Sequence, residues 1–231
     1  MKLMYELAIK LIDIYILISS LFNKKLKRIY KGRKDTFKYI DENIDIQKKN
    51  ILIHVSSVGE FEQAKPIIDG LRSLNKFEII VSFFSSSLEN KVKEDKSVHH
   101  SFYLPSDSKK NMELLLEKIN PVILLLIKYE YWRNLILSTN KKSIPIISVS
   151  SIFRKSQFYV PLYSSFFINT LKKINLFLVQ NNDSVNLLKK NNITRVKKVG
   201  DTRFDRVLKI YNDSKKYPLV EPVSYTHLTL P

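Results

Sequence analysis

From residue 51 to about residue 210, short runs rich in β-branched and aromatic residues alternate with longer segments whose apolar positions recur every three or four residues. The short runs fall near 51–55, 78–84, 101–104, 121–127, 145–149, 176–180 and 196–199 and predict strands. Between them Phe61, Ala64, Ile68 and Leu71 share one helical face, Met112, Leu115, Leu116 and Ile119 a second, and Val185, Leu187 and Leu188 a third. PVILLLI and PIISVS are unbroken apolar runs, the pattern of strands covered on both sides. Strand and helix in alternation, with strands of this kind, predict an α/β domain over residues 51–211: a Rossmann-like parallel sheet with helices on both faces.

The first thirty-four residues follow a different pattern. KLMYELAIKLIDIYILISSLF has the length of a membrane span, but Glu6, Lys10 and Asp13 interrupt it at a helical spacing that makes one polar stripe. Each charge at mid-bilayer costs about 2.5–3.5 kcal/mol on insertion scales. The segment therefore predicts a helix lying in the membrane interface rather than crossing it. Acidic residues within the apolar run, and no small-residue cleavage site, separate it from a secretory signal. The cations of NKKLKRIYKGRKD, Arg33 among them, would meet anionic lipid, at roughly 1 kcal/mol each. Residues 1–34 thus read as a membrane-anchor helix with a basic segment on the cytoplasmic side, and residues 35–50 as a linker into the first strand. An ordinary amphipathic packing helix is the plain alternative.

Composition narrows the picture only in part. The 231 residues carry 39 Lys+Arg against 22 Asp+Glu, a formal charge of +17, which attracts anionic partners without choosing among them. Neither clustered aromatics on a strand face nor a helix-turn-helix pattern supports nucleic-acid binding, and none is expected. The absence of cysteine excludes disulfides and thiolate metal sites. His54, His99 and His100 lack ligand spacing, so no metal or other cofactor is expected. The final residues, VSYTHLTLP, show no periodicity and resemble translated sequencing-adaptor read-through; residues 212–231 are expected to be a truncated interdomain region with a non-native tail.

In open α/β sheets ligands bind beyond the carboxyl ends of the strands, so the strand-to-helix turns carry the candidate chemistry. In HVSSVGE, Ser57 and Gly59 let the backbone approach a ligand closely, and Glu60 falls in the first turn of the next helix. There the helix dipole favours an ionised carboxylate by about 0.3–1 kcal/mol, and such a carboxylate over a cleft is competent to take a proton from a hydroxyl. Glutamate also simply stabilises helix starts, so position alone assigns it no catalysis. A single glycine, with no Gly-Lys-Ser/Thr, excludes dinucleotide and Walker loops. In KYEYWRN, Glu130 and the sole tryptophan, Trp132, form a substrate platform or merely a packing ring with charged neighbours. In VGDTRFDRV, Asp201, Arg203, Asp205 and Arg206 follow Gly200, a pattern common in salt-bridged surface.

Together HVSSVGEFEQAKPIIDGLR, YLPSD, KYEYWRN, LVQNNDSVNLL and VGDTRFDRV resemble, in order and spacing, the 3-deoxy-D-manno-octulosonic acid (Kdo) transferases over residues 51 to about 210. Many members carry Glu-Thr-Glu-Leu-Trp-Pro-Asn where this chain has residues 128–134, so Glu130 is retained and the earlier acidic position is Lys128. The resemblance implies the amino-terminal, acceptor-binding half of a GT-B glycosyltransferase, with the donor-binding half absent and the fragment inactive by itself. It implies transfer of Kdo from CMP-Kdo to a lipid A precursor, lipid IVA, with inversion, at the cytoplasmic face of the inner membrane. It assigns Glu60 as general base. From their positions at the turns rather than from the resemblance, Arg154 and Arg203 are expected to meet phosphates of the lipid or the donor, and Glu130 to position the acceptor. Another membrane-associated GT-B transferase is the closest alternative.

Overall fold

The computed structural model describes residues 1–154 and 161–214. Residues 155–160, and the expected interdomain region and tail beyond Ser214, lie outside the described residues. Seven strands form one sheet, β1 (Asn50–Val55), β2 (Glu78–Phe83), β3 (His100–Tyr103), β4 (Pro121–Ile127), β5 (Ile146–Ser151), β6 (Leu176–Val179) and β7 (Val196–Lys198). Each matches an expected strand to within about two residues, because apolar runs bounded by turn residues are strong local signals. All six pairings are parallel, in the order β3-β2-β1-β4-β5-β6-β7. That order is doubly wound, with the chain reversing direction between β1 and β4.

Helices connect the strands: α3 (Val58–Ser73), α4 (Glu89–Lys93), α5 (Lys109–Ile119), α6 (Arg133–Lys141), α7 (Pro161–Leu171), α8 (Asn182–Lys190) and, after β7, α9 (Thr202–Ser214). Alternate strand residues feed two cores. Ile51, Ile53, Leu125 and Ile127 pack with Phe61, Ala64 and Ile68 of α3, whereas Leu52, Leu124 and Leu126 pack with Met112, Leu115 and Leu116 of α5. The period of two along each strand thus reads directly as two covered faces.

Two helices precede the sheet, α1 (Lys2–Ser19) and α2 (Lys24–Asn43), the latter capped by Asn23. Here the sequence expectations need correction. The stretch expected as a linker is helical through Asn43, with Thr36 and Ile40 buried. Thr36 Oγ1 donates to the Tyr103 carbonyl at 2.7 Å, and a Cβ at Gly32 would fall inside the Tyr103 ring, so this glycine lets α2 lie against β3. Two acids of the polar stripe on α1 turn inward: Glu6 accepts from Asn134, and Asp13 accepts from Arg33 and Ser106, while Lys10 remains exposed. Leu3, Leu7, Leu11, Ile14 and Ile18 are the exposed side. The cation Arg33 is likewise buried against Asp13 rather than presented outward, since α2 packs on α1 along that face. No described helix is long and apolar enough to cross a membrane.

Candidate active site

The carboxyl ends of β1 and β4 are adjacent strands at the point where the winding reverses, and each delivers one glutamate. After β1 the chain enters α3 through a capping box. Ser57 Oγ accepts from the Glu60 amide, and the Glu60 carboxylate returns to the turn, Oε2 accepting from the Ser56 amide at 2.6 Å and the Ser57 amide at 3.2 Å. Oε1 makes no hydrogen bond among the described residues. One oxygen holds the helix start, and the other is not engaged in it. Gly59 is exposed, and a Cβ there would meet nothing nearer than Ser57 Oγ at 4.0 Å, so the space above this turn is open.

Glu60 is 9% exposed. Burial, and then the facing charge of Glu130, push its proton affinity above that of an ordinary carboxyl, against the Ser56 amide and the charges of His54 and Lys128. The helix-start environment therefore does not win outright, because the dipole effect is small beside desolvation. A raised carboxyl is the better base, since it holds a proton more readily once taken.

After β4, Lys128 adopts a positive φ of 58°, turning the chain so that Glu130 and Trp132 face back toward β1. Glu130 Oε2 accepts from Trp132 Nε1 at 2.8 Å and lies 3.4 Å from His54 Nε2. Burial works to raise its proton affinity, but His54, Ser56 and Trp132 overcome it and the carboxyl falls below the usual range. His54 is wholly buried in β1, with Nδ1 3.0 Å from the Ser82 carbonyl and hydroxyl of β2. When Nδ1 accepts from the Ser82 hydroxyl, the ring N–H is on Nε2, the nitrogen that faces Glu130. Trp132 stands edge-on to His54, at 6.3 Å, and stacks on Phe84 at 5.8 Å and 19°.

Trp132 occupies the N-cap of α6 without capping it. Asp107, the last residue of YLPSD, supplies the cap from another segment, accepting from the Asn134 and Leu135 amides at 2.9 and 2.8 Å and from Tyr5 of α1 at 2.6 Å. It is 1% exposed, and burial pushes it up to about 6 despite these donors. Arg203 is held by Asp201, 2.5 Å from its Nη2, and Asp201 accepts at 2.9 Å from Gln63, one turn beyond Glu60 on α3. The start of α9 is thereby fastened beside α3. Arg154 is exposed just beyond β5. Among the described residues no three His, Asp or Glu side chains converge as a metal set.

A family model described as 3-Deoxy-D-manno-octulosonic-acid transferase (kdotransferase) matches residues 26–206. The chain belongs to this family. Among its curated relatives, a bifunctional glycosyltransferase/methyltransferase of Fusobacterium nucleatum is 30% identical over 207 residues, covering 86% of this chain and 30% of that protein. A 3-deoxy-D-manno-octulosonic acid transferase of Aquifex aeolicus is 24% identical, covering 71% of this chain and 43% of its own length. The chain thus spans less than half the length of these two relatives. Solved structures of UDP-GlcNAc 2-epimerases share the fold. Those from Methanocaldococcus jannaschii and Neisseria meningitidis superpose with TM-scores of 0.57 and 0.56 at 17% and 16% identity, each over 75% of this chain and 52% of the other. The architecture is the Rossmann-like half of a GT-B arrangement.

For this Kdo transferase family member, the structure brings Glu60, Glu130 and Trp132 to one place, with Ser57 and Gly59 forming the turn beneath Glu60. Arg203 is tied nearby through Asp201 and Gln63, and Arg154 stands exposed at the end of β5. Sequence reasoning missed His54, which it weighed only as a metal ligand, and Asp107, whose partners are 27 and 28 positions away in the chain. A polar residue within an otherwise apolar strand, the His in ILIHV, was the available signal for the first.

Proposed function

We propose that this chain is the acceptor-binding half of an inverting Kdo transferase that moves Kdo from CMP-Kdo onto lipid IVA during lipopolysaccharide core synthesis. The observation carrying this reading is the Glu60 carboxylate at the winding reversal, with Oε2 fixed by two backbone amides and its proton affinity raised by burial and Glu130. Glu60 takes the proton of the acceptor hydroxyl as that oxygen attacks the anomeric carbon of Kdo. The bond from that carbon to the CMP phosphate oxygen breaks, and CMP leaves with the electron pair. Attack opposite the departing group inverts the centre. Glu130 and Trp132 position the acceptor sugar, and Arg154 and Arg203 offer cationic contacts for phosphates. The donor is held mainly by the other half of the longer protein.

The lipid acceptor accounts for the inverted polarity of α1. Its exposed leucines and isoleucines enter the inner-membrane interface from the cytoplasmic side, and exposed cations of α2 such as Lys27, Lys31 and Lys34 meet anionic headgroups. This delivers the site to the surface where its acceptor resides. The test is a product assay with the uninterrupted protein, lipid IVA and defined sugar nucleotides. Transfer from CMP-Kdo that disappears in Glu60→Gln supports the reading. Preference for another donor would move the protein to a different GT-B specificity, and undiminished transfer by Glu60→Gln would remove the assigned base.

A further inference from the structure

The mechanism above makes no use of Arg33, a cation largely shielded from solvent. Arg33 sits in the most basic stretch of the chain, yet its side chain is only 12% exposed. Its Nη1 lies 3.3 Å from Asp13 Oδ1 of α1, its guanidinium carbon stands 4.9 Å over the Phe84 ring, and its buried Nε has no hydrogen-bond partner among the described residues. The other face of the same cluster is the candidate site: Phe84 stacks on Trp132, and Trp132 donates to Glu130. A leucine would fill the volume as well and leave no unmet donor. What it would lack is a planar cation that fixes the plane of Phe84 and a charge that fastens Asp13.

We propose that Arg33 is a positioning residue that couples the seating of α1 to the orientation of Trp132, and through it to Glu130. Two more links from α1 reach the same turn from its far side. Tyr5 accepts from the Arg133 amide at 3.2 Å while donating to Asp107, and Glu6 accepts from the Asn134 side chain at 3.1 Å. The helix that presents an apolar face outward thus holds the Glu130–Asn134 turn at both ends. Arg33 is the link that touches the aromatic stack itself. This inference rests on the reading that Trp132 lines the acceptor site and that α1 meets lipid.

Trp132 is the sole tryptophan, so its emission reports the stack without any need for activity. In the 231-residue chain, Arg33→Gln is expected to red-shift that emission and to raise acrylamide quenching roughly twofold or more as the stack loosens. Asp13→Asn, which leaves every residue of the stack in place, is expected to act in the same direction, and the double variant to add little to either single change. Arg33→Lys, which keeps the charge but not the plane, should fall between. Lys118→Gln, which breaks the Asp41–Lys118 pair elsewhere on α2, should leave the signal unchanged. Wild-type emission and quenching in both Asp13→Asn and Arg33→Gln overturn the proposal, as does an equal shift in the Lys118 variant. Vesicles containing phosphatidylglycerol separate the membrane reading. Co-sedimentation without any response of Trp132 overturns the coupling. Failure to co-sediment removes the lipid-interface reading alone, and the quenching result then decides the role of Arg33.

Discussion

The turns after β1 and β4 end in the same side chain and treat it in opposite ways. Glu60 is pushed up by burial and by its neighbour, while Glu130, although also buried, is drawn down by His54, Ser56 and Trp132. The difference lies in what each carboxylate faces. Glu60 has backbone amides on one oxygen and an acid opposite, whereas Glu130 has an imidazole and an indole N–H directed at it. In the proposed mechanism two carboxyls driven apart in this way divide the labour: one takes protons, and the other stays ionised and positions.

The sharpest way to break this comparison is Glu60→Gln, which keeps the shape of the capping box and removes the proposed base. Transfer by the uninterrupted protein should fall about 10²–10⁴-fold, read as kcat under saturating donor and acceptor. Next is Asp107→Asn, which disturbs the turn bearing Glu130 while leaving that of Glu60 intact. One of two backbone amides loses its carboxylate acceptor, and denaturant unfolding should show a loss of about 1.5–3 kcal/mol. Ser57→Ala works on the other turn. Removing this N-cap should cost about 0.5–2 kcal/mol by the same measurement, with no change at α6.

The smallest effect is the most discriminating. Glu130→Gln removes a negative charge that raises the proton affinity of Glu60, so the acidic limb of the pH–rate profile should move to lower pH. An unmoved limb would mean that the two carboxyls do not sense one another. Stability carries the complementary signs. The lowered carboxyl of Glu130 contributes stability above its unfolded value and loses it as pH falls through the folded one. Glu60 does the reverse: the native state holds its proton more tightly, so its ionisation subtracts stability as pH rises through the carboxylate range.

The amino-terminal helix shows how a correct pattern leaves its orientation open. The spacing of Glu6, Lys10 and Asp13 predicts a polar stripe, and the stripe exists. Amphipathicity usually places the apolar side inward, but here Asn134, Ser106 and Arg33 offer partners to the two acids and the apolar side is left out. Likewise the cations following α1 are legible as a basic tract, yet nothing local distinguishes Arg33 from Lys31 or Lys34. Only the packing of α2 across α1 buries one and exposes the others.

By itself the chain determined its strands, its helical faces, the parallel α/β class and the turn that holds Glu60. These follow from periodicities of two and 3.6 and from short-range capping, all of which act within a few residues. Tertiary structure alone decided that Glu60 and Glu130 meet, that a buried histidine stands between β2 and the second of them, and that Asp107 caps a helix distant from it in the chain. Those outcomes depend on which strand ends become neighbours and on how much water is excluded there, and both are properties of the assembled sheet rather than of any segment.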